Sequence, residues 1–149
     1  MASLTKKVAT FEAFGDYVPM PMRCNAADQF FRGGLVFFVA GFIDPLVADT
    51  NSEFAGIVAE DVTTLAQGDP VLVYPASNGG LFLFANANFT IANQGSLFYQ
   101  TTAGEDDPST LSTTAAGNSG AVGRLVQVRT TAVDGWLAIG DRALPNNVA

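Results

Sequence analysis

The chain has 149 residues, 48% of them hydrophobic with twelve Phe, and only 14% charged; roughly 25% charged is usual for a soluble domain. This composition excludes an extended disordered protein and suits one domain with a substantial core. The net charge is −7 and no basic residue lies between Arg32 and Arg124, so no stripe exists to neutralise phosphates and nucleic acid is not an expected partner.

Residues 1–30 read as an extended N-terminal arm and residues 31–149 as a single β domain. The opening Met-Ala-Ser-Leu-Thr-Lys-Lys lacks the apolar stretch and cleavage site of a signal peptide, so synthesis in the cytoplasm is expected. Residues 9–21 show no sustained period of two or 3.6 and contain Gly15, Pro19 and Pro21. Prolines hold a chain extended and remove donors, which predicts an arm and not a sheet element. Its Phe11, Phe14, Tyr17, Val18 and Met20 must lie on the chain's own domain, a neighbouring subunit or a larger partner.

From Gly34 the pattern becomes β. Residues 35–39 are a continuous Val- and Phe-rich run, and residues 54–58 a second strand. The apolar run 35–43, interrupted by Gly41, is far shorter than the roughly twenty residues of a membrane helix, so no membrane is expected. Residues 61–67 are the sole helical candidate, and Thr63-Thr64 favours extended structure there. Residues 71–74 and 81–84 flank a segment with Asn78-Gly79 and predict a tight hairpin. Residues 89–92 and 97–100 around Asn93-Gln94-Gly95-Ser96 predict another. Residues 101–120 read as a long exposed loop. Residues 122–130 alternate well and pair with 136–139 across Val133-Asp134-Gly135, and the tail after Asp141 reads as loose. Short strands with turn signals every eight to twelve residues or so indicate a small β-barrel or β-sandwich of antiparallel strands.

Catalytic chemistry finds little footing. The chain contains no His, which removes Ser-His-Asp and Cys-His arrangements and any His-containing metal site. Cys24, the single cysteine, has neither a His to activate it nor a second thiol, and reads as a small buried or arm residue. Glu60-Asp61 are adjacent near a strand end, where side chains diverge. Glu105-Asp106-Asp107 could hold a hard cation but lacks EF-hand spacing, and a solvated acidic loop is favoured. Gly33-Gly34 and Gly117-Asn118-Ser119-Gly120 read as turns, because neither joins a strand to a helix. A hydrolase would need two carboxylates brought together by folding. No enzyme, cofactor or metal site is expected. Phe37, Phe38, Phe82, Phe84 and Phe98 read as core, while Trp136 stays open.

The low charge content leaves two readings. Part of the surface meets other subunits, where charges are depleted, or the surface is polar and uncharged, rich in Asn, Ser, Thr and Gln. The acidic midsection suits either a basic partner or a solvated face.

Three segments carry a resemblance: Phe54-Ala55-Gly56-Ile57-Val58-Ala59-Glu60-Asp61-Val62, Gln67-Gly68-Asp69-Pro70-Val71-Leu72-Val73-Tyr74 and Gly80-Leu81-Phe82-Leu83-Phe84. With the glycine-led Gly95-Ser96-Leu97-Phe98-Tyr99 and Gly123-Arg124-Leu125-Val126, the pattern resembles capsid decoration (cement) proteins of tailed bacteriophages. The resemblance covers about residues 34–141 and is one of pattern. It implies a compact β-barrel-like domain, a homo-oligomer with a trimer favoured, the major capsid protein as partner and a place on the virion exterior. It also implies an N-terminal arm gripping the coat protein, here residues 9–22, with Lys6 and Lys7 pairing acidic groups. The long 101–120 loop departs from the pattern. The competing expectation is a carbohydrate-binding module of a fibre or host-attachment protein, using Trp136, Tyr99 and the 101–120 loop.

Overall fold

The computed structural model describes residues 4–45, 53–100, 106–114, 121–129 and 133–140. The strands are β1 (Phe11–Ala13), β2 (Met20–Arg23), β3 (Gln29–Phe30), β4 (Leu35–Val39), β5 (Phe42–Asp44) and β6 (Phe54–Val58). They continue with β7 (Val62–Thr63), β8 (Pro70–Pro75), β9 (Gly80–Ala85), β10 (Leu97–Tyr99), β11 (Ala121–Val128) and β12 (Asp134–Ile139). One sheet runs β1-β9-β12-β11-β10, a second β2-β8-β6-β4-β5, and β3 pairs with β7. Every pairing between named strands is antiparallel. Among the described residues no sheet closes on itself, and of the two expected architectures the fold is consistent with the sandwich-like one.

Two apolar clusters explain the strand sequences. The larger lies between the five-stranded sheets and joins Phe82 and Phe84 of β9, Leu125 of β11 and Leu137 and Ile139 of β12 to Leu35, Phe37 and Ile57 of the opposite sheet. The smaller lies on the other face of the second sheet, where Val36, Val58, Val71 and Val73 meet Cys24 and Phe30. β4 therefore buries Leu35 and Phe37 on one side and Val36 on the other. A strand covered on both faces reads as an unbroken apolar run, which is why residues 35–39 show no alternation. Phe38, expected in the core, is 40% exposed, although its register partner Ile43 belongs to the smaller cluster.

Gly56 is required by the close approach of β6 and β8. Its φ is +156°, and a Cβ there would lie 2.2 Å from the Tyr74 carbonyl oxygen. The pairing of β4 with β6 slips at the same place, between Val36 and Phe37, so Ala55 forms a bulge that re-aims the strand.

Four expectations need correction. The N-terminal segment, expected as an arm and not a sheet element, forms strands: β1 pairs with β9 and β2 with β8, so it supplies an edge strand to each large sheet. Pro21 is tolerated in β2 because an edge strand leaves donors unpaired on one side. Residues 71–74 and 81–84 do not form a hairpin, since β8 pairs with β2 and β6 while β9 pairs with β1 and β12. Ala76–Asn78 is a 3-10 turn, and Gly79 at φ 68°, ψ −168° extends the chain; a type I′ turn needs two successive left-handed residues. The second expected hairpin is also absent. Ile91–Asn93 is a 3-10 turn and β10 pairs with β11.

The fourth correction concerns the 101–120 loop. Residues 101–105 and 115–120 lie outside the described residues, but within 106–114 Asp106, Pro108 and Leu111 are buried, while Ser109, Thr113 and Thr114 are exposed. Leu111 is fully buried, and Asn86 Nδ2 donates to the Pro108 and Leu111 carbonyls at 3.0 Å each. Tyr99 and Ser112 exchange backbone hydrogen bonds of 2.7 and 3.0 Å. The β11–β12 pairing is as expected, and Val62–Thr63 is extended. The tail after Asp141 lies outside the described residues.

Candidate interaction surface

The seven residues singled out in the N-terminal segment divide into anchors and displayed groups. Phe11 is 6% exposed and stacks on Phe82 with centroids 5.8 Å apart and planes 6° from parallel. The Arg32 guanidinium lies 4.6 Å from the Phe11 centroid on the outer side. Tyr17 packs against Phe82 at 5.3 Å, and its hydroxyl accepts the Leu81 N–H at 3.0 Å. These two are structural.

Between and beyond them, Phe14, Val18 and Met20 are 62%, 80% and 47% exposed. The first two sit on the connection that carries the chain from β1 to β2, from the edge of one sheet to the edge of the other. A connection fixed at both ends by strand pairing holds its side chains at low conformational cost. That is what a contact surface needs and a floppy tail lacks. Lys6 and Lys7 are exposed and line an open cleft of about 340 Å³ with Leu4, Val8, Ala85, Asp107 and Ser109.

Trp136 belongs to this surface, which the sequence did not reveal. Its register partner on β9 is Leu83, whereas its neighbour Leu137 pairs with the core residue Phe82. Trp136 thus points to the outer face, and Phe14 packs edge-on against it with centroids 5.3 Å apart and an interplanar angle of 79°. The available signal was parity along β12, where Trp136 falls between the core positions and not among them.

Trp136 and Tyr99 do not converge. Tyr99 pairs with Ala121 at one end of β11 and Trp136 with Gln127 near the other. Six residues of strand separate the two, about 20 Å. The described residues therefore do not join them into one sugar platform.

The carboxylates mostly serve the backbone. Asp69 Oδ2 accepts the Leu65 and Ala66 N–H groups, Asp61 Oδ1 accepts that of Arg32 and Asp107 Oδ1 that of Ser109. Asp134 pairs with Arg129 at 2.7 Å. Asp106 departs from the expected solvated acidic loop: it is 2% exposed, and burial raises its pKa to about 6. The Cys24 thiol is buried and donates to the Ala66 carbonyl at 3.2 Å, the role of a packed residue. Among the described residues no group of three or more His, Cys, Asp or Glu could hold a metal ion, and no helix is long and apolar enough to cross a membrane.

Compared with known proteins, the chain matches no family model, no curated protein and no solved structure.

Proposed function

We propose that this protein is a structural component of a virus particle, a decoration protein that binds the outer surface of a tailed-phage capsid and stiffens its lattice. The observation that carries this reading is the exposed apolar set Phe14, Val18 and Met20 on a segment pinned to both sheet edges. Exposed large apolar groups on a rigid rim are a contact surface by chemistry, since each leaves water when a partner covers it. The partners are the major capsid protein and further copies of this chain, with a trimer favoured from the resemblance. On a repetitive lattice many such modest contacts add through multivalency, so no single tight site is needed.

The test is co-sedimentation of the purified chain with capsids of the source phage stripped of this protein. Deleting the N-terminal segment is uninformative, because it removes β1, β2 and the core residue Phe11. The informative variant is Phe14→Ser/Val18→Ser/Met20→Ser. The proposal expects a folded variant whose bound fraction falls at least tenfold, and undiminished binding would overturn it.

A further inference from the structure

Leu4 to Thr10 runs beside the 106–111 segment without packing onto it along its length. All seven residues line the cleft of about 340 Å³ whose far wall is Ala85, Asp107 and Ser109. One tie spans this gap, the Leu4 N–H donating to Asp106 Oδ1 at 3.0 Å; the Val8 N–H is tied elsewhere, to the Arg32 carbonyl at 2.9 Å. Beyond Val8, Phe11 is locked in the core. The Leu4 N–H is thus tied to a side chain, Val8 packs against the larger cluster, and the Phe11 end is held by strand pairing and burial.

Asp106 also receives a tie from the body. Its carbonyl accepts the Leu35 N–H at 2.8 Å, at the start of β4, and Leu4 reaches Gly34, where a Cβ would meet Leu4 Cδ1 at 2.9 Å. Its position is thus set by the fold whether or not Leu4 is docked. The charged groups that act on it are Asp107 on its own segment and Asp28 ahead of β3; Lys6 and Lys7 line the neighbouring cleft with Asp107. Asp107 and Asp28 both oppose its ionisation, after the larger effect of burial.

We propose that Leu4–Thr10 is a releasable strap latched by the Asp106 carboxylate, and that ionisation of this carboxylate favours the open strap. The latch is a compromise between two effects. A buried carboxylate beside two others is costly when charged, and lifting the strap lets water reach it. The hydrogen bond from Leu4 works in the other direction, but burial dominates, since the folded-state pKa of about 6 stands above the ordinary 3.8. A group that binds its proton more tightly in the closed form makes opening easier as pH rises through that window. Asp107, Asp28 and the tie to Leu35 stay in place when the strap lifts, so these two values bound the effect: the opening constant rises by at most roughly tenfold between pH 5 and pH 7 and levels off above it. The inference stands apart from the proposed function: the strap opens or stays closed whatever the chain binds.

Hydrogen exchange of the Leu4 and Val8 amides in the full-length protein, corrected for intrinsic exchange, measures this directly. The expected result is a gain in Leu4 opening from pH 5 to pH 7, several-fold and at most about tenfold, with Val8 changing less and the amides of β9 and β12 unchanged. Asp106→Asn keeps an acceptor oxygen and cannot ionise, so its Leu4 amide should lose the pH dependence. A wild-type Leu4 amide whose opening is flat over this range overturns the latch by itself, without reference to any variant. Equal pH dependence in Asp106→Asn overturns it as well.

Discussion

Replacing Phe11 by Ala separates an integrated N-terminal segment from a detached arm. Phe11 is 6% exposed and touches four aromatic or cationic groups: Phe82 at 5.8 Å, Phe84 at 5.5 Å, Tyr74 at 6.4 Å and the Arg32 guanidinium at 4.6 Å. Truncating a fully buried Phe costs about 3–5 kcal/mol. The edge position of β1 allows partial collapse into the gap, which favours the low end, about 3 kcal/mol. At this chain length each kcal/mol moves the melting temperature by about 2–4 °C, so Tm should fall by roughly 6–12 °C. Urea unfolding followed by the fluorescence of Trp136 gives the free energy, and calorimetry gives Tm. Phe14→Ala, three residues away but 62% exposed, is the control and should cost less than about 1 kcal/mol. If Phe11→Ala also stays within about 1 kcal/mol of wild type, the segment is not part of the core and the fold description is wrong.

Further outcomes follow from other residues. Gly56→Ala drives a methyl into the Tyr74 carbonyl and should cost at least about 3 kcal/mol or abolish soluble expression. Gln100 is 1% exposed, and its side-chain nitrogen and oxygen find no partner among the described residues; Gln100→Met should therefore leave stability unchanged or raise it by about 1–2 kcal/mol in urea titrations. Asp106 binds its proton more tightly folded than unfolded, so its contribution is full below pH 3.8 and is lost as pH rises to about 6. The loss is at most about 3 kcal/mol and nearer 2 after solvent screening, and Asp106→Asn should remove that part of the pH slope of unfolding. Asn86→Ala removes the shorter of two donors from each of the Pro108 and Leu111 carbonyls, which keep the Leu111 N–H and Asn88 Nδ2; it should cost about 1–2 kcal/mol, with a rise in exchange confined first to residues 106–114.

The strands were legible where their chemistry was local. Residues 35–39 and 54–58 were recovered to the residue because Val and Phe runs between glycines and polar turns need no knowledge of partners. The β11–β12 hairpin was legible for the same reason, its two strands being neighbours in the chain. Pairing at a distance was not. Asn78-Gly79 carries a hairpin signal, yet β8 and β9 have partners in different sheets, a choice set by where the large cluster closes and not by the turn. The prolines of the N-terminal segment were read as excluding a sheet, whereas they mark an edge. Phe11 and Phe14 look alike in the sequence and differ tenfold in exposure, because β1 alternates and Phe14 lies past its end. Trp136 joined the candidate surface only through Phe14, a contact between residues more than a hundred positions apart that no local pattern encodes.

The central claim is a role on the particle, and quantitative mass spectrometry of density-banded particles from the source reads it directly. A ratio of this chain to the major coat protein that equals one, or another simple lattice fraction such as one to three, is the predicted result. Its absence from intact particles would contradict the account.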